Sequence, residues 1–188
     1  MARLLVMGFS AGGLAQAQAV LAALPADYPL AVAVVAHLPA DTETVLADVL
    51  GRNAQLPVAL AVDKAAIRAG RVTVAPPGYH LLVENRERFA LSVDTPVHAV
   101  RPSIDVLFES AAEAFASDMI AVTLSGANSD GGNGMACVHA LGGMTIALAP
   151  IDAEYRTLPD AVVKAVDVDY LVNLEEMIAL LISAGDGA

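Results

Sequence analysis

The chain has no tryptophan, one cysteine and only ten lysine and arginine residues in 188, and each scarcity removes a class of protein. A lone Cys137 excludes an internal disulfide framework and fits a reducing cytoplasm. It reads as a small buried hydrophobe on a helix rather than a catalytic thiol. Ten cations against 21 carboxylates give a formal charge of −11, a surface that repels phosphate backbones. The densest basic group, Lys64, Arg68 and Arg71, is too modest to reverse this, so no nucleic-acid partner is expected. No apolar run approaches the roughly 20 residues that span a bilayer. The first run, Leu4–Met7, ends in a glycine turn and is too short for a signal peptide. No His, Cys or carboxylate group has zinc-ligand spacing, and the loop at Asn128 lacks both the glycine and the closing glutamate of an EF-hand. No metal or cofactor is expected.

What is present is aliphatic. A hydrophobic fraction of 56% predicts one Ala/Val/Leu-packed α/β domain over residues 1–188. Short apolar runs alternate with helical patterns, the signature of βα units on a mainly parallel sheet. Strands are predicted at 3–7, 30–36, 58–62, 72–75, 118–124 and 144–148, and the segments 168–172 and 174–183 close the chain. Helices are predicted at 11–24, 41–50 with Asp41 or Thr42 as N-cap, 103–115 and 135–141, with a helical turn or two at 160–165. Residues 79–83 and 88–93 flank the polar tip Glu84-Asn85-Arg86-Glu87 and predict a small hairpin.

Chemistry concentrates where three of these strands end. Gly8-Phe9-Ser10-Ala11-Gly12-Gly13 puts a serine on a glycine-flanked turn between a strand and a helix. Such a turn exposes a hydroxyl for attack, with backbone N–H groups nearby to receive an oxyanion. His37 follows the apolar run 30–36, and consecutive strands of a βαβ unit commonly end side by side, which makes it the candidate base. Asp130, after the run 118–124, is the candidate orienting acid, although a helix N-cap would look the same in sequence. His80, His98 and His139 are weaker candidates. A dinucleotide site would need an acid where His37 stands, and a phosphate-binding P-loop would need a lysine. The order Ser, His, Asp also differs from the Ser, Asp, His order of α/β-hydrolases.

With these residues in view, the chain resembles the catalytic domain of the CheB-type chemotaxis protein-glutamate methylesterases. Besides the Ser10 turn, the likeness rests on Ala36-His37-Leu38-Pro39, Ala75-Pro76-Pro77-Gly78-Tyr79-His80, the twelve residues from Arg101 to Ala112, and Leu124–Gly131. The resemblance implies a three-layer α/β/α, doubly wound, mainly parallel sheet with a small hairpin. It implies Ser10 as nucleophile, His37 as general base and acid, Asp130 as orienting carboxylate, and the Ala11 and Ala127 amides as oxyanion donors. The implied reaction is hydrolysis of glutamyl γ-methyl esters, and deamidation of glutamines, on the cytoplasmic region of methyl-accepting chemoreceptors, with a separate regulator or chemosensory protein as a further partner. Ala127 and Asn128 stand where the family usually has methionine and glycine, and Ala11 and Ala36 replace a frequent threonine and glutamine. No receiver domain is expected within these residues, so the chain is read as a stand-alone esterase, part of another sensory system, or a fragment. The alternatives are a serine esterase or amidase of this fold with another substrate, and a non-catalytic chemosensory binding module. Arg101-Pro102-Ser103 is read as a helix start with proline in its first turn, outside the catalytic set.

Overall fold

A computed structural model describes residues 4–37 and 45–186. Seven strands form one sheet in the order β3-β4-β2-β1-β7-β8-β9, and every pairing in it is parallel. These are β1 (Leu4–Phe9), β2 (Ala31–Ala36), β3 (Val58–Leu60), β4 (Val72–Val74), β7 (Met119–Thr123), β8 (Met144–Leu148) and β9 (Tyr170–Val172). The predicted hairpin is there as β5 (His80–Asn85) and β6 (Arg88–Ser92), antiparallel and separate from the main sheet. Strands β1, β2 and β7 are buried along their whole length, which is why they read as continuous apolar runs rather than alternating ones.

Two cores sandwich the sheet. Leu5, Met7 and Phe9 of β1 face one side, with α1 (Leu14–Ala23), α2 (Leu46–Gly51) and α6 (Leu174–Asp186). Leu4 and Val6 face the other, with α3 (Ile104–Phe115), α4 (Gly132–Ala140), α5 (Thr157–Ala165) and the hairpin. The chain therefore forms the mainly parallel α/β sheet that its pattern predicted, in the three-layer, doubly wound α/β/α architecture that the resemblance implied.

Several boundaries moved for identifiable reasons. Helix α1 starts at Leu14 rather than residue 11, because Ser10–Gly13 closes as a turn with the Gly13 N–H donating to the Ser10 carbonyl at 3.0 Å. Helix α4 starts at Gly132, three residues before the first apolar side chain that marked it. Pro102 lies before the N-cap of α3 rather than in its first turn; Ser103 is the cap, its Oγ accepting from the Val106 N–H at 3.3 Å. The expected cap at Asp41 or Thr42 lies outside the described residues.

The winding direction reverses at β1. From it the chain adds β2, crosses to the edge strand β3 and comes back to place β4 between them, then returns to add β7, β8 and β9 on the other side. Open α/β sheets bind ligands beyond the carboxyl ends of their strands at such a switch point. The ends of β1, β2 and β7 meet there.

Candidate active site

Register brings Ser10 and His37 to one rim, and the loop after β7 carries Asp130 to His37 there. Phe9 pairs with Ala36 and Gly8 with Thr123, so the next residues leave the sheet at the same level. The ladder continues beyond the strands. The His37 N–H donates to the Phe9 carbonyl, and the Ser10 N–H to the Ser125 carbonyl, both at 3.0 Å. Small residues permit this crowding. A Cβ on Gly126 would stand 3.1 Å from Ser10 Cβ, and one on Gly8 would stand 2.5 Å from Ile104 Cγ2.

Asp130 is fully buried and accepts from four groups. Its Oδ2 receives the Ile104 N–H at 2.6 Å and lies 2.7 Å from His37 Nε2, while its Oδ1 receives Ser103 Oγ–H at 2.8 Å and the Asp105 N–H at 3.2 Å. Burial alone would raise its carboxyl, but the bonds from His37, Ile104 and Ser103 outweigh it and hold the group below the ordinary carboxylate value. Asp130 is therefore ionised at neutral pH and acceptor-only, so the proton between it and the imidazole sits on His37 Nε2. In the neutral ring this leaves a lone pair on Nδ1, which is buried and makes no hydrogen bond among the described residues.

The Ser10 side of the site is open. Among the described residues, the Ser10 hydroxyl makes no intramolecular hydrogen bond, so its link to His37 is not closed in this conformation. Catalytic contacts of this kind often tighten only when substrate binds. The amides of Ala11 and Ala127, on exposed residues of the two adjoining loops, have no acceptor among the described residues.

Sequence reasoning left out the residues that hold Asp130. Ser103 both caps α3 and donates to Asp130, so the segment read as only a helix start belongs to the site. His80 is buried beneath it. Its Nδ1 accepts the Ser103 N–H at 3.2 Å and its Nε2–H donates to the Thr95 carbonyl at 3.2 Å, a pairing that selects one neutral tautomer. Asp105, also buried, accepts the Gly131 and Gly134 N–H groups on Oδ1 at 2.9 and 2.7 Å. Polar residues in the otherwise apolar first turn of α3 were the available signal. His139 is far from this network, beside Asp169 at 4.0 Å. Cys137 lies half-buried on α4, its thiol pushed up by burial and by Glu109 and Glu113.

A doubly wound α/β sheet with a buried carboxylate–imidazole pair and an open serine at its switch point has the layout of an ester hydrolase. The sequence profile of the CheB methylesterase family matches residues 5–181. The chain belongs to that family of carboxylic-ester hydrolases. It is 36% identical over 178 residues to the putative protein-glutamate methylesterase/protein-glutamine glutaminase of Leptospira interrogans serogroup Icterohaemorrhagiae serovar copenhageni, covering 95% of this chain and 92% of that one. It is 41% identical over 145 residues to the protein-glutamate methylesterase/protein-glutamine glutaminase of Symbiobacterium thermophilum, covering 77% of this chain and 40% of that longer protein. The crystal structure of the Thermotoga maritima CheB methylesterase catalytic domain superimposes with a TM-score of 0.92 at 29% identity, covering 98% of this chain and 99% of that one. Among the described residues, no helix is long and apolar enough to cross a membrane.

Proposed function

We propose that this protein hydrolyses glutamyl γ-methyl esters on chemoreceptors in the cytoplasm, using Ser10, His37 and Asp130. One observation carries the reading: His37 is held by Asp130 through Nε2, leaving a buried Nδ1, unpartnered among the described residues, on the rim it shares with Ser10. Nδ1 takes the Ser10 proton as Oγ attacks the ester carbonyl. The developing oxyanion is received by the Ala11 and Ala127 N–H groups. The imidazolium, stabilised by ionised Asp130, returns the proton to the departing methoxide, and methanol leaves. Water, deprotonated by His37, then cleaves the glutamyl-serine ester, freeing a glutamate carboxylate and Ser10. A glutamine carboxamide follows the same route with ammonia as leaving group, in keeping with the double name of the relatives.

The ring uses its nitrogens in the opposite sense to the Ser-His-Asp template, where Nε2 faces serine and Nδ1 faces aspartate. Either nitrogen serves, provided the carboxylate fixes the other. The test is methanol release from a methyl-esterified receptor fragment by wild type and Ser10→Ala. The variant is expected to fold normally by circular dichroism and to release no methanol. Full activity in Ser10→Ala would remove serine from the mechanism. A wild-type protein that binds the fragment, releases no methanol and resists fluorophosphonate labelling would instead be a binding module.

A further inference from the structure

Helices α3 and α4 cap each other with carboxylates. Asp130, just before α4, accepts the first N–H groups of α3, from Ile104 and Asp105. Asp105, in the first turn of α3, accepts the Gly131 N–H ahead of α4 and the Gly134 N–H within it. Each acid thus satisfies donors that the other's segment leaves unpaired. The contact is close enough to exclude side chains. A Cβ on Gly134 would sit 2.7 Å from Phe108 Cβ and 2.9 Å from Asp105 Cα. Gly131 has φ +123, a conformation that L side chains rarely adopt, and its N–H is one of the two that Asp105 holds.

We propose that Asp105 is a positioning residue of this active site: by fixing the backbone on the far side of Asp130, it sets the direction from which that carboxylate holds His37. The inference rests on the Ser10–His37–Asp130 reading and extends it. Stability alone is a poor reason for a second buried acid there. Burial raises the Asp105 carboxyl, and the neighbouring Asp130 charge raises it further, against the bonds from Gly134 and Gly131. Its other oxygen, Oδ2, is buried without an aligned hydrogen bond among the described residues, 3.2 Å from His98 Nε2. His98, Asp105 and Asp130 offer ligand atoms within 4.8 Å of one another, but the Asp130 oxygens already accept four hydrogen bonds, which argues against a cation there.

The experiment compares wild type, Ser10→Ala, Asp105→Ala, Asp105→Ser and Asp105→Asn in hydrolysis of p-nitrophenyl acetate, at a temperature where circular dichroism shows each folded. The 1H NMR resonance of the His37 Nε2 proton is followed in parallel. Asp105→Ala and Asp105→Ser are expected to lose about 10–100-fold in kcat with KM nearly unchanged, the mark of a misplaced catalytic pair. Asp105→Asn keeps an oxygen acceptor for both glycine amides and should recover most of that loss. The Nε2 proton should shift in Asp105→Ala and Asp105→Ser and stay near its wild-type position in Asp105→Asn. If Asp105→Ala does not fold, Asp105→Ser, whose hydroxyl suits a first helical turn, carries the comparison. Wild-type kcat in the folded Ala or Ser variant, with Ser10→Ala inactive, overturns the proposal, as does a lower melting temperature with kcat and the proton unmoved. Activity in Ser10→Ala instead overturns the serine reading on which it rests.

Discussion

Replacing Asp130 with asparagine keeps the shape of the side chain and removes its charge, and the four donors around it determine the consequence. The amide has one oxygen and one NH2 group, so one side of the carboxylate becomes a donor facing donors. The Ser103 hydroxyl can rotate to accept, which puts NH2 at the Oδ1 position and leaves the Asp105 N–H unpaired. An orphaned buried donor costs about 1–3 kcal/mol. Losing charge assistance at the Ile104 N–H and His37 adds about 1–2 kcal/mol. Relief of repulsion with Asp105 offsets part of this, for a net loss of about 2–4 kcal/mol. At about 2–4 °C per kcal/mol for a domain of this size, the melting temperature should fall by about 4–16 °C. Because folding lowers the Asp130 pKa below 3.8, its contribution is complete above that value and is lost as pH falls through the depressed folded one. The gap between wild type and Asp130→Asn should hold steady from neutral pH to about pH 5 and close only in stronger acid. Calorimetric melts across that range measure it. Methanol release should fall on the order of 10³–10⁴-fold, since an amide no longer stabilises the imidazolium. An unchanged melting temperature at pH 7, or a gap that widens in acid, would refute the ionised, four-donor description. Unchanged kcat would remove Asp130 from the mechanism.

Gly8→Ala puts a methyl group 2.5 Å from Ile104 Cγ2, and overpacking of this kind should cost about 1–3 kcal/mol in chemical unfolding. The Gly8→Ala, Ile104→Ala double variant should lose less than the sum of the single variants, and strict additivity would show that the clash is not the cause. Asp105 has the opposite pH signature to Asp130. Its raised folded pKa means that its ionisation costs stability above that pKa, and the cost disappears as pH falls through it towards 3.8. Asp105→Asn should therefore melt at or above wild type at pH 7, with any advantage shrinking towards pH 4 in a pH series of thermal melts. An advantage that grows in acid would contradict this.

Much of the fold and part of the site were legible in the residues. Runs such as 31–36 and 119–123 are apolar on both faces because a parallel sheet covered by helices buries both faces, so local composition identified β2 and β7. The hairpin showed itself by a polar tip between two strand-like runs. Ser10, His37 and Asp130 each follow such a run, and a doubly wound sheet gathers those ends at its switch point.

Other features were decided only by tertiary structure, because they depend on residues far apart in sequence. The capping between α3 and α4 joins positions about 26 residues apart, and the His37–Asp130 bond joins positions 93 apart. Nothing local distinguishes a buried Asp105 from an ordinary acid in the first turn of an exposed helix. Likewise, nothing local in the predicted hairpin showed that His80 would be buried with its Nδ1 accepting the Ser103 N–H. The sequence by itself determined which residues stand at the ends of the central strands. Which imidazole nitrogen meets the carboxylate, and which neighbours hold that carboxylate ionised, came from packing, because burial makes every unpaired donor and acceptor costly and so selects one arrangement.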